Sequence, residues 1–258
     1  MDSSPDYGPL ARLMDIKPGD VVSAVGAGGK TSLIFALAAG LNKPRDLKIL
    51  LTTTTKIYAP ESGFDRLIIG EPAADIGAGV YVMGRCVDGE NKLRAFEPEI
   101  LEGLIRRFDV ALIEADGARG RPLKCPGPGE PAVIPATTKT VAVLSLRPVG
   151  SALSAENVHR ADLFAAVTGA RAGGAITVGH IARLAASPDG LFKNARGERI
   201  LFVNKIETDG DLSVLTSFVK SIWSMRSGDN GGKFFDRMLA GSLRDNLFWE
   251  QSQWGGCP

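Results

Sequence analysis

Cysteine, histidine and net charge are all scarce in this sequence of 258 residues. Its three cysteines, Cys86, Cys125 and Cys257, stand far apart and form no CxxC pair. Any disulfide scheme would leave one unpaired, so reduced thiols are expected. The two histidines, His159 and His180, are too few and too dispersed for a histidine-based zinc site. Lys and Arg total 30 against 29 Asp and Glu, a formal net charge of +1. No uniform field exists to hold polyanions, which argues against a general nucleic-acid coat protein. No apolar run approaches the ~18–20 residues that span a bilayer, and the opening MDSSPDYG is acidic where a signal sequence is basic and then apolar. The expectation is a cytoplasmic protein with neither a membrane nor a nucleic-acid partner.

Hydrophobic side chains and glycine are plentiful. At 44% hydrophobic and 23% charged, the chain has enough apolar surface to offset its folding entropy. The length suits one main core with at most a minor lobe. Short apolar runs alternate with helical stretches and glycine turns, the pattern of a parallel α/β sheet buried on both faces. Strands are predicted at 20–26, 48–54, 66–70, 109–116, 140–146, 199–204 and 233–241. The run VYVMGRCV (80–87), before Asp88-Gly89, reads as a hairpin strand. Helices are predicted at 31–41, stopped by Asn42 to Pro44, at 97–108 and at 212–225. Residues 158–190 read as a small helical lobe on an α/β domain spanning 1–244. The tail 245–258, with Trp249 and Trp254, carries no assignable pattern.

The sharpest local signal is VGAGGKTS, Val25–Ser32, where a buried strand meets a helix. A helix N-terminus offers unpaired N–H groups and the positive end of a dipole, so phosphate binds there readily. Gly26, Ala27, Gly28 and Gly29 would let the backbone curl around phosphate oxygens. Lys30 would supply charge, Thr31 a hydroxyl for Mg2+, and Ser32 a further amide. Ala24 stands where the full G-x-x-x-x-G-K-[ST] pattern has its first glycine, so the loop is the short G-x-x-G-K-T form, which resembles that of Mur-ligase-type ATPases. A dinucleotide-binding G-x-G-x-x-G would want a small residue where Thr31 stands, and a plain strand-to-helix turn would not require Gly-Lys-Thr.

If the strands are parallel, their carboxyl ends share one edge, where open α/β sheets bind ligands. Asp116, with Glu114 second, is the candidate metal or water ligand. Thr55 and Lys56 are candidates for a switch-like phosphate contact, whereas strand propensity accounts for Thr52 and Thr53. Arg119, Arg121 and Lys124 form a basic loop, with Arg119 the candidate to steady a transferring phosphoryl group. His159-Arg160 reads as a capping or packing pair. Asn204, Lys205 and Glu207 (NKIE) resemble the N-K-x-D by which many GTPases read guanine. Glutamate replaces aspartate, so ATP and GTP both stay open.

VGAGGKTS, TTTTKIYAP (52–60), EADGARGRPLK (114–124), EPAVIP (130–135), VHR (158–160), FVNK (202–205) and AGSL (240–243) occur in this order, and together they resemble the YqeC family. Its members are regarded as accessory proteins of selenium-dependent molybdenum hydroxylases. The sequence departs from that pattern at Cys125, where a small residue is expected, at Glu207, and in the tail after Leu243. The resemblance implies a P-loop NTPase-like fold and an ATP- or GTP-dependent, Mg2+-assisted role. The partner would be a molybdenum hydroxylase or its maturation factors. Two alternatives remain from the residues themselves: a kinase or ligase activating a small anionic substrate, and a non-enzymatic scaffold that holds nucleotide. Cys125 is the one thiol with basic neighbours in sequence, although a buried, inert thiol is the plainer expectation.

Overall fold

The computed structural model describes residues 6–43, 46–71, 76–226 and 233–250. Helix α1 (Gly8–Leu13) precedes β1 (Val21–Gly26), α2 (Lys30–Leu41) and β2 (Lys48–Thr53). Then come β3 (Lys56–Tyr58), β4 (Arg66–Ile69), β5 (Gly79–Gly84), β6 (Lys92–Arg94), α3 (Pro98–Ile105) and β7 (Val110–Glu114). The loop beyond holds β8 (Leu123–Lys124) and leads to β9 (Lys139–Ser145), β10 (Val158–His159), α4 (Ala161–Thr168) and α5 (Val178–Ala186). The chain closes with β11 (Glu198–Asn204), α6 (Asp209–Arg226), β12 (Arg237–Ser242) and β13 (Leu247–Glu250).

Among the described residues, nine strands form one sheet in the order β13-β12-β11-β9-β1-β7-β2-β5-β4. Every neighbouring pair is parallel except β12 with β13. The period of two in a strand divides the core. Val22 and Ala24 of β1, Val141 and Val143 of β9, and Ile200 and Phe202 of β11 pack with α1 and α2 on one face. The intervening Val25, Ala142, Leu144, Leu201 and Val203 pack with α4, α5 and α6 on the other. Ala111 and Ile113 of β7 meet Leu101 and Leu104 of α3 on that second face. Helices thus cover both sides of a mostly parallel sheet, the three-layer arrangement expected of a P-loop NTPase-like fold.

Three readings need adjustment. The apolar part of the 80–87 run is β5, parallel between β2 and β4. A hairpin does follow, but at 85–94, where Arg85 N bonds Arg94 O, Arg94 N bonds Cys86 O, and Val87 bridges Leu93. Parallel pairing suits a run that is buried throughout, since a hairpin strand with one wet face would alternate. The 158–190 segment does not stand apart as a bare helical lobe, because Phe164, Ile181 and Leu184 join the same core cluster as β9 and β11. Residues 247–250 form an antiparallel edge strand against β12, a length too short to show periodicity. Pro44, Trp254, Cys257 and the rest of 251–258 lie outside the described residues.

The sheet places the carboxyl ends of β1, β2, β7, β9, β11 and β12 along one edge. β1 sits between β7 and β9 at the centre, so the glycine loop leaves the middle of that edge.

Candidate functional site

β1 ends at Gly26, and the chain turns through Gly28 and Gly29 into α2. Gly26, Gly28 and Gly29 have φ of 89°, 100° and 131°, a region that side chains disfavour. Tertiary crowding makes the same demand. A Cβ at Gly26 would collide with the Val143 carbonyl, one at Gly28 would lie 2.8 Å from Ser145 Cβ, and one at Gly29 would lie 2.6 Å from Asn204 Nδ2. Asn204 itself spans the site, donating to Gly28 O at 2.9 Å and accepting from Leu243 N at 3.2 Å. The loop is pressed between the ends of β9 and β11, and glycine is what fits.

The start of α2 is open. Its first intrahelical bond runs from Leu33 N to Gly29 O at 2.9 Å, and no side chain caps the turn. The amides of Lys30, Thr31 and Ser32 therefore have no intrahelical acceptor, the usual condition of a helix start. Lys30 is 5% exposed. Its ammonium donates to Gly26 O at 2.7 Å and lies 3.1 Å from Asp116 Oδ1 and 3.8 Å from Glu114 Oε1. Thr31 Oγ1 donates to Glu114 Oε2 at 2.6 Å. The two carboxylates at the end of β7 thus part company: Glu114 faces the Thr31 hydroxyl, and Asp116 sits deeper. Burial raises the Glu114 carboxyl above its ordinary range, against the pull of Lys30 and the Thr31 hydrogen bond.

Asp116 Oδ2 accepts from Gly26 N at 3.0 Å, which ties the end of β7 to the loop. The same oxygen lies 3.1 Å from Lys124 Nζ. Lys124, only 1% exposed, donates to Gly117 O and lies 2.6 Å from Glu130 Oε2. Arg160 grips Glu130 with two bonds of 2.5 and 2.7 Å. Burial works against ionising Glu130, yet hydrogen bonds from Arg160 and Lys124 outweigh it and hold the carboxyl down to about 2. A depressed carboxyl stabilises the fold above its unfolded value, and that contribution is lost as pH falls from the ordinary 4.5 toward 2. Wild type should accordingly lose urea resistance between pH 5 and pH 3 more steeply than Glu130→Gln, which is weaker at neutral pH. Parallel slopes in the two proteins would count against this pairing.

Other predicted residues are distributed less tightly. Thr52 donates to Met83 O and Thr53 to Glu114 O, so both serve the sheet. Thr55 bonds back to Thr53. Lys56 is exposed, and its ammonium lies 3.6 Å from Asp88 of the 85–94 hairpin. Arg119 is exposed at a left-handed turn with φ 50°. Lys205 is also left-handed, with φ 69°. Glu207 is held by Arg147, by Arg244 at 2.9 Å and by Ser242 at 3.4 Å. A base reaching this carboxylate would have to compete with two guanidiniums. Cys125 is fully buried, and burial pushes its thiol up to about 11, the inert case. His159 lies in β10 and Arg160 serves as an ion-pair partner, so neither caps α4 with its side chain.

Sequence reasoning passed over Glu130 and Arg160 as interacting groups, although both lie in segments that carried the family resemblance. It also missed Ser145, whose backbone and Cβ close the loop from the β9 side. Thirty residues separate Glu130 from Arg160, and no local spacing rule connects them.

A central β1, a glycine turn into α2 and paired carboxylates at the end of the adjacent β7 define an α/β protein of P-loop type. The chain belongs to the YqeC family. The family described as YqeC protein matches residues 22–162. "Uncharacterized protein YqeC" of Escherichia coli (strain K12) is 35% identical over 209 residues, covering 76% of this chain and 81% of that protein. No solved structure matches this chain. Among the described residues no helix is long and apolar enough to cross a membrane, and no group of three or more His, Cys, Asp and Glu is placed to hold a metal ion.

Proposed function

We propose that this protein binds a nucleoside triphosphate with Mg2+ at the start of α2 and hydrolyses it while serving the maturation of a selenium-dependent molybdenum hydroxylase. One observation carries the reading. The uncapped amides of α2 and the buried Lys30 ammonium converge on the point where β1 turns, beside Glu114 and Asp116. A polyphosphate at this point would take both the free amides and the Lys30 charge.

The donor set fits a hard cation on one side. Thr31 Oγ1 and Glu114 Oε2 are oxygen ligands 2.6 Å apart at the loop's edge, and Mg2+ takes such ligands together with phosphate oxygens. Glu114, rather than the deeper Asp116, is assigned the metal. Bound there, Mg2+ would neutralise charge on the terminal phosphates. Asp116 orders the loop through the Gly26 amide, and Arg119 is left to reach the transferring group. Asn204 flanks the loop at the end of β11, and it is assigned, with Lys205 and Glu207, to the base.

The test is calorimetric titration with ATP and with GTP, each with and without Mg2+, together with phosphate release in the absence and presence of the apo-hydroxylase. Micromolar binding is expected, strengthened by Mg2+ in wild type. In Thr31→Val and Glu114→Gln the Mg2+ enhancement should be lost. Release should be faster with the apo-hydroxylase present. Failure to bind either nucleotide would end the proposal, and binding without any partner effect would end its accessory half.

A further inference from the structure

We infer that Lys124 is the standing counter-ion of Asp116, a positioning residue whose task is to leave Lys30 available to a polyphosphate. The inference rests on the nucleotide-binding reading above. Asp116 is 1% exposed and has a cation against each oxygen: Lys30 at 3.1 Å from Oδ1 and Lys124 at 3.1 Å from Oδ2. These two lysines are held very differently. Among the described residues, the other ties of the Lys30 ammonium are to Gly26 O and, at 3.8 Å, to Glu114 Oε1, both in the site itself. The Lys124 ammonium is fixed from behind by Gly117 O and by Glu130, which Arg160 in turn clamps. Its backbone is set by the pairing of β8 with β10, Lys124 opposite His159.

A polyphosphate arriving on α2 draws the Lys30 ammonium toward itself. A buried carboxylate stripped of its partner then carries a heavy desolvation cost, and that cost would oppose binding. With Lys124 in place, Asp116 keeps one cation when Lys30 turns away, and it also keeps the Gly26 amide that shapes the loop. The cluster of Lys30, Lys124, Arg160, Glu114, Asp116 and Glu130 has equal numbers of each charge. Removing Lys124 makes it negative where phosphates are to land, and commits Lys30 to Asp116.

The test uses N-methylanthraniloyl-labelled ATP and GTP in Mg2+, with circular dichroism to confirm folding. Lys124→Met should weaken binding at least tenfold. The double variant Lys124→Met/Asp116→Asn needs no counter-ion and should return to within about threefold of wild type. Lys124→Met/Glu130→Gln has the same net charge but keeps Asp116 ionised, and should stay weak. A merely structural lysine would show no recovery in the first double variant, and a general charge effect would show equal recovery in both; either result overturns the inference. Should Lys124→Met fail to fold, Asp116→Asn alone decides. Releasing Lys30 should tighten binding severalfold, and unchanged or weaker binding is the contrary result. If wild type binds neither label, the nucleotide reading itself falls; wild-type binding without selective rescue removes this inference alone.

Discussion

Replacing Lys30 with alanine is expected to weaken binding of ATP and GTP at least a hundredfold, while the protein stays folded. An ammonium donating to phosphate oxygens in a water-poor site makes charge-assisted hydrogen bonds worth about 1.5–3 kcal/mol each, and about 2.7 kcal/mol corresponds to a hundredfold in affinity. Loss of a buried cation ordinarily threatens the fold, because its partner is left uncompensated. Here Asp116 retains Lys124 and the Gly26 amide, and Glu114 retains the Thr31 hydroxyl. Calorimetry and a thermal melt on the same sample separate the two effects. Affinity within threefold of wild type would show that Lys30 serves the fold and not a ligand.

The second large effect is on stability. Gly26→Ala is expected to destabilise the protein by about 3 kcal/mol or more, from backbone strain of order 1–3 kcal/mol and a comparable overpacking term. The position has φ 89°, and the added methyl would strike the Val143 carbonyl, which belongs to a central strand with no room to retreat. At ~2–4 °C per kcal/mol for a chain of this size, the melting temperature should fall by roughly 6–12 °C. A melt displaced by less than 2 °C would mean that the ends of β1 and β9 yield more easily than their packing implies. Gly103 offers a contrast, since a Cβ there would meet nothing within 4 Å.

Some of the site could be read in advance because its logic is local. Gly-Lys-Thr after an apolar run places a lysine and a hydroxyl on the first turn of a helix whatever the rest of the chain does. Glu114 and Asp116 follow VALI, so they had to leave a buried strand at its carboxyl end. The division of labour between them was not legible. It depends on which carboxylate faces Thr31 and which faces Lys124, and Lys124 arrives from a proline- and glycine-rich loop with no periodicity. Sequence reading also set Lys56 near the phosphates, whereas its pairing with Asp88 follows from β3 joining β6 in a separate two-stranded sheet. The NKIE run left the base open, and it gave no sign that Arg147 and Arg244 would pair with Glu207.

The order of residues along the chain was enough to specify the alternation of buried strands and helices, the parallel character of the sheet and the glycine turn at its first strand. Each of these follows from hydrophobic period and backbone sterics within a dozen residues. The assembly of Lys30, Asp116 and Lys124, which are buried, with the half-buried Glu130 and Arg160 into one chain of charges came from the fold alone. Their pairing depends on the β8–β10 bridge and on how the ends of β1 and β7 meet. Coulomb attraction in a site closed to water acts on distance in space, and the sequence records only distance along the chain.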